Sequence, residues 1–179
     1  MRTRLKRWTS DVLPGRRVAA FIDFASHVSS SAPPRVAAAC LRTAFNGWCT
    51  GRRFQQRGCC VLGCPLAADS LEHYFRCPRY RVFLGRHLGL RGRDGAAGFD
   101  AFFGWRRGLA LESGEGADTA GLAALGMYSL YRVHGAVRSG TLQRRDAVDA
   151  LPASLREGAR GHPKAEALLR AARVRRRAW

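Results

Sequence analysis

Four residues in the middle of the chain combine a donor set and a spacing that chemistry can use: Cys60, Cys64, His73 and Cys77, in the pattern C-x3-C-x8-H-x3-C. Three thiolates and one imidazole can close a tetrahedral shell around a metal ion. Sulfur and imidazole nitrogen suit Zn²⁺, whereas magnesium and calcium favour oxygen. With all four positions filled by protein, none remains for a reactive water, so the expectation is a structural zinc site. Cys59, adjacent to Cys60, is an alternative first thiolate, and His87 is a more distant substitute for His73. The competing reading is a buried cluster of thiols with an incidental histidine. Gly63 supplies backbone freedom just before Cys64. Metal binding at such a site becomes folding free energy.

The elements that must position these donors are helical. Ser29 to Pro34 reads as a turn and helix start, with serines as caps and proline in the first turn. Val36, Cys40, Leu41, Ala44, Phe45 and Trp48 recur every three or four residues, predicting a helix to about Cys49 with these on its buried face. Cys40 and Cys49 are then packing residues. Residues 51–58 form a short basic connection bearing Arg52, Arg53 and Arg57, with a brief strand or hairpin at Cys60 to Leu62. Asp69 and Glu72 have the spacing of a capping box that opens a short helix with His73 and Cys77 on one face. Pro78 ends that turn. Tyr80, Phe83, Leu84, His87 and Leu88 then give a helix over 79–90 that packs on the knuckle.

Phe99, Phe102, Phe103 and Trp105 form an aromatic cluster suited to core packing. A helix follows from about Ala120 to Val137, anchored by Leu122, Leu125, Tyr128, Leu130 and Tyr131. The fold class is therefore mostly α: a small helical domain around a CCHC zinc knuckle. Residues 1–28 read as a basic N-terminal arm, 29–139 as the helical domain with its knuckle at 52–78, and 140–179 as an Arg/Ala-rich C-terminal arm.

The 179-residue chain carries 31 basic and 13 acidic residues, a formal charge of +18, and only Lys6 and Lys164 are lysines. The guanidinium fork pairs with phosphate in a bidentate way, so a polyanion, RNA or DNA, is the expected partner. The candidate contacts are Arg52, Arg53, Arg57, Arg76 and Arg79 at the knuckle, and Arg173, Arg175, Arg176 and Arg177 near the C-terminus. A GC-rich genome inflates arginine too, but it does not explain the shortage of acids. Phe54 and Tyr74 are read as packing under the knuckle, with base stacking as their other use. No apolar run resembles a signal peptide or approaches a membrane span, so the expected location is intracellular and nuclear, with reduced thiols and no membrane partner.

The ligand pattern, with Asp69-Ser-Leu-Glu-His-Tyr74 inside it and Leu41-Arg-Thr-Ala-Phe-Asn-Gly-Trp-Cys-Thr-Gly-Arg-Arg-Phe54 before it, resembles the zinc-binding segment near the carboxyl end of non-LTR retrotransposon reverse transcriptases. The resemblance spans about Arg35 to Phe83. It implies Cys60, Cys64, His73 and Cys77 as ligands and a role in binding element RNA or target DNA, beside the polymerase portion of such a protein. The family's aromatic-x-Asp-Asp turn, needed to hold two metal ions for nucleotidyl transfer, has no counterpart here, and no Pro-Asp of a linked endonuclease occurs. Catalysis is not expected. A protein-interaction domain whose zinc only holds the fold is the second reading.

Overall fold

Between Ala120 and Leu130 the chain carries no charged side chain. A helix with apolar residues around its whole circumference must be surrounded by other elements. A computed structural model of the protein describes residues 14–55, 58–65, 67–90 and 114–177. In it this segment is the middle of the helix Gly114–Arg138, and every residue from Ala120 to Leu130 is buried.

In chain order the helices are α1 (Pro14–Ser31), α2 (Pro34–Ala44), α3 (Leu71–Tyr74), α4 (Pro78–Leu88), α5 (Gly114–Arg138), α6 (Ala147–Ala159, after a 3-10 turn at Arg144–Asp146) and α7 (Pro163–Arg177). Helix α5 is the axis, and α1, α2, α4, α6 and α7 all pack on it. Close approach needs small residues. A Cβ on Gly126 would meet Leu84 Cδ2 of α4 at 2.7 Å, and one on Gly158 of α6 would meet the Tyr128 ring at 2.7 Å. The mostly α expectation holds. Among the described residues there is no strand, and the hairpin expected at the knuckle reduces to one antiparallel bridge between Cys59 and Ala68. Among the described residues no helix is long and apolar enough to cross a membrane.

Several local expectations are corrected by packing. Ser29, Ser30 and Ser31 do not cap α2; they end α1, each hydroxyl donating to a carbonyl three or four residues back. Helix α2 stops at Ala44, short of Cys49, because Asn46 takes a left-handed φ of 53°. The Trp48 indole then folds back and donates to Thr43 Oγ1 at 2.8 Å. The buried stripe of α2 is Val36, Ala39, Cys40, Thr43 and Ala44, while Leu41 and Phe45 are exposed. Cys40 is buried as expected; Cys49 is exposed.

Both regions expected as arms contribute to the core. Phe21, Phe24 and Val28 of α1 are buried, and so are Ala147, Leu151, Leu155 and Ala159 of α6 and Ala165, Leu169 and Ala172 of α7. The C-terminal stretch differs from an appended arm because α6 and α7 bury leucines interspersed with alanines and Gly158, and both helices pack on α5. The aromatic cluster Phe99, Phe102, Phe103 and Trp105 lies outside the described residues, as does Arg57.

Candidate metal centre

The chain brings its donors together by two short devices. After the Cys59–Ala68 bridge, Cys60 N donates to Ala67 O at 2.8 Å, and Gly63 N closes a tight turn on Cys60 O at 2.9 Å. Gly63 has φ +82°, a conformation that side chains disfavour, and the Arg79 guanidinium lies against it while donating to Leu62 O at 2.9 Å. This turn presents Cys60 and Cys64 to the same side. The second device is α3, a single helical turn. Its cap is Ser70, whose Oγ accepts from His73 N at 3.2 Å, in place of the expected Asp69. Helix α3 ends before Cys77, which is instead the residue ahead of Pro78 at the start of α4. His73 and Cys77 thus come from two elements, not from one helical face.

The outcome is a Cys₃His cluster. One donor atom from each of Cys60, Cys64, His73 and Cys77 lies within 4.8 Å of the others. Cys77 Sγ sits 3.9 Å from Cys60 Sγ and 3.6 Å from Cys64 Sγ. His73 Nε2 is buried without a hydrogen-bond partner, which leaves that nitrogen open to a ligand. Cys59, the alternative thiolate, is exposed and outside the cluster. His87 is also outside it and packs on the Phe83 ring at 5.1 Å.

The thiols share protons unequally. A hydrogen bond from Cys77 brings Cys60 down to about 5, against the burial that opposes it. The same bond pushes Cys77 well above an ordinary thiol, and burial raises Cys64. Three crowded thiols release one proton readily, and the rest come off only against the first negative charge. A divalent cation would remove that opposition.

Behind the cluster lies a buried polar hub that spacing in the sequence does not reveal. Asp69, read as a cap, is only 1% exposed. Its Oδ2 accepts from Gly51 N at 2.7 Å, its Oδ1 accepts from the Tyr74 hydroxyl at 2.7 Å, and His134 Nε2 of α5 stands 3.0 Å from Oδ1. The Tyr74 hydroxyl in turn accepts from Val61 N at 3.0 Å. Tyr74 follows His73 and Val61 follows Cys60, so one hydroxyl ties the two donor-bearing segments together. Trp48 roofs the hub, its ring 5.8 Å from Tyr74 and 5.2 Å from His134. Burial raises the Asp69 carboxyl, but the bonds from His134 and Tyr74 outweigh it and hold the group below its ordinary value. Burial and the adjacent Asp69 charge push the Tyr74 hydroxyl up.

Of the arginines expected to touch nucleic acid, Arg52, Arg53, Arg76 and Arg79 are exposed around this centre, and Arg173 is exposed on α7. They are not equivalent. Arg52 pairs loosely with Glu72 at 3.4 Å, and Arg53 donates to the carbonyl of Asn46 at 2.8 Å. Arg79 is engaged with Leu62, whereas Arg76 has no carboxylate partner among the described residues. The backbone of Arg175, Arg176 and Arg177 continues α7. Phe54 is exposed beside Arg53, whose guanidinium stands 5.8 Å from the ring centre; Tyr74 is fully buried and cannot stack on a base. Compared with known proteins, the chain matches no protein family, no curated protein and no solved structure.

Proposed function

We propose that Cys60, Cys64, His73 and Cys77 hold a structural zinc ion, and that the helical module so pinned binds RNA or DNA through arginine contacts to phosphate. The approach of the four donors carries the metal part of this reading. Bonds of roughly 2.3 Å from zinc to sulfur set tetrahedral edges of about 3.8 Å, and the sulfur separations of 3.6 and 3.9 Å fit that figure. Four protein donors leave the ion no open position, so its work is to fix the fold.

The nucleic-acid part rests on the +18 charge and on exposed Arg52, Arg53, Arg76 and Arg79 around the centre. Arg76, which has no carboxylate partner among the described residues, leads this group, and Phe54 beside Arg53 supplies a ring on which an unpaired base can stack. The resemblance to the tail of a non-LTR reverse transcriptase supports the same reading. The test is titration of the zinc-loaded protein with a labelled RNA oligonucleotide between about 50 and 200 mM salt, where phosphate contacts release counterions and affinity falls steeply. Binding that is absent at low salt, or indifferent to salt, rejects the proposal.

A further inference from the structure

Between α6 and α7 runs a groove of about 390 Å³, walled by Arg156, Arg160, Arg170 and Arg173 over a floor that includes Ala159 and Leu169. Two glutamates also line it. Glu166 is already engaged, accepting from Gly161 N at 3.0 Å and facing Arg170 at 3.8 Å. Arg156, Arg160 and Arg173 have no carboxylate at ion-pair distance among the described residues. A further guanidinium, Arg35 of α2, donates to the carbonyls of Glu157 and Arg160. It satisfies the orphan end of α6, favours the negative pole of that helix, and fixes the backbone from which Arg156 and Arg160 project.

Like charges gathered on one groove repel each other unless an anion joins them. Arg156 and Arg160 are one helical turn apart, so the α6 wall offers two guanidiniums about 5–6 Å apart at their base, and the α7 wall adds Arg173, since Arg170 is taken by Glu166. A strand with regularly spaced phosphates matches that repeat, and a planar fork binds each phosphate in a bidentate way. The small floor leaves room for a chain to lie between the walls.

We infer that the α6–α7 groove is a second site for nucleic-acid phosphate, formed by Arg156, Arg160 and Arg173 and sharing no residue with the arginines around the metal centre. It rests on the nucleic-acid reading above but uses different residues, so the two can fail separately.

The test compares three zinc-loaded full-length proteins by fluorescence anisotropy with a labelled single-stranded oligonucleotide over a salt series. They are the wild type, a groove variant (R156A/R160A/R173A) and a centre variant (R52A/R53A/R76A/R79A). At about 0.7 per phosphate contact for single strands, the groove variant is expected to lose about 2 from the slope of log K against log salt. A groove variant equal to wild type in affinity and slope overturns the inference, even where the centre variant loses binding and the first proposal survives. Loss in the groove variant alone supports the groove and rejects the contacts at the centre; a wild type that binds no oligonucleotide rejects both. The triple lysine variant (R156K/R160K/R173K) keeps the charge and is expected to restore most of the slope, while a slope as low as that of the alanine variant would assign the loss to misfolding and overturn the site. Polyglutamate of matched charge that competes as well as unlabelled oligonucleotide would also overturn it, pointing to an acidic peptide.

Discussion

His134 Nε2 and Asp69 Oδ1 meet at 3.0 Å across 65 residues of sequence, with both side chains almost wholly removed from solvent. The contact joins the axial helix to the segment that carries the Cys/His cluster, because Asp69 also holds Gly51 and, through Tyr74, Val61. The Cys/His cluster is therefore seated on the core by a buried carboxylate.

Removing that carboxylate charge leaves His134, Tyr74 and the Gly51 amide imperfectly satisfied. Asp69→Asn is expected to destabilise the protein by about 3 kcal/mol at pH 7, the scale for breaking a buried pair from one side. The folded carboxyl is depressed, so its contribution is fully present above the unfolded value of about 3.9. It is lost as pH falls through the lower folded value. Denaturant unfolding of both proteins across a pH series should show their difference shrinking below about pH 4; a constant difference would mean that the carboxylate charge contributes nothing.

The cysteines should divide sharply. Cys60→Ser, Cys64→Ser and Cys77→Ser are each expected to lose most bound metal and to unfold more readily, since ligand loss removes binding energy that folding relies on. Cys59→Ser and Cys49→Ser, at exposed positions, should keep the metal and shift stability by less than about 0.5 kcal/mol. Equal metal content in the Cys59→Ser and Cys60→Ser proteins would disprove the assignment of the first ligand.

Proton release offers a separate check on the thiols. Only Cys60 is held in the thiolate form by its surroundings, while Cys64 and Cys77 are raised. Zinc binding at pH 7 should therefore expel more than one proton per ion, read from calorimetry in buffers of different ionisation enthalpy. One proton or none would show that the thiols are not all ligands.

The C-terminal helices should prove structural. Leu151 is fully buried in α6, and Leu151→Ala should cost about 3 kcal/mol in thermal or denaturant unfolding. An effect below about 0.5 kcal/mol, the ordinary range of a surface change, would restore the picture of an appended arm.

What the sequence made legible follows from how local each feature is. The donors stand within a short stretch, so their types and spacing suffice to bring them together on paper. Helices α4 and α5 announce themselves by apolar repeats, and Gly63 by its place in the turn. Asp69 has the spacing of a cap, but its partner His134 lies on another helix, and a Ser-x-x-His cap at Ser70 satisfies the same local logic as the expected capping box. The end of α2 is hidden in the sequence because Trp48 continues the apolar rhythm while its indole bonds back to Thr43. Leu41 and Phe45 look like core, yet the helix turns its smaller residues toward α5. In α6 and α7 the core leucines are joined by Ala147, Ala159, Ala165 and Ala172, whose burial depends on neighbours that periodicity of large side chains does not register.

The most direct measurement is the metal itself: elemental analysis and zinc-edge X-ray absorption on protein purified without chelator. The expected result is about one zinc per chain, with three sulfur neighbours at roughly 2.3 Å and one nitrogen at roughly 2.0 to 2.1 Å, and loss of fold when a strong chelator removes it. Protein that is folded and metal-free after such a preparation, or zinc bound by oxygen ligands, would contradict it.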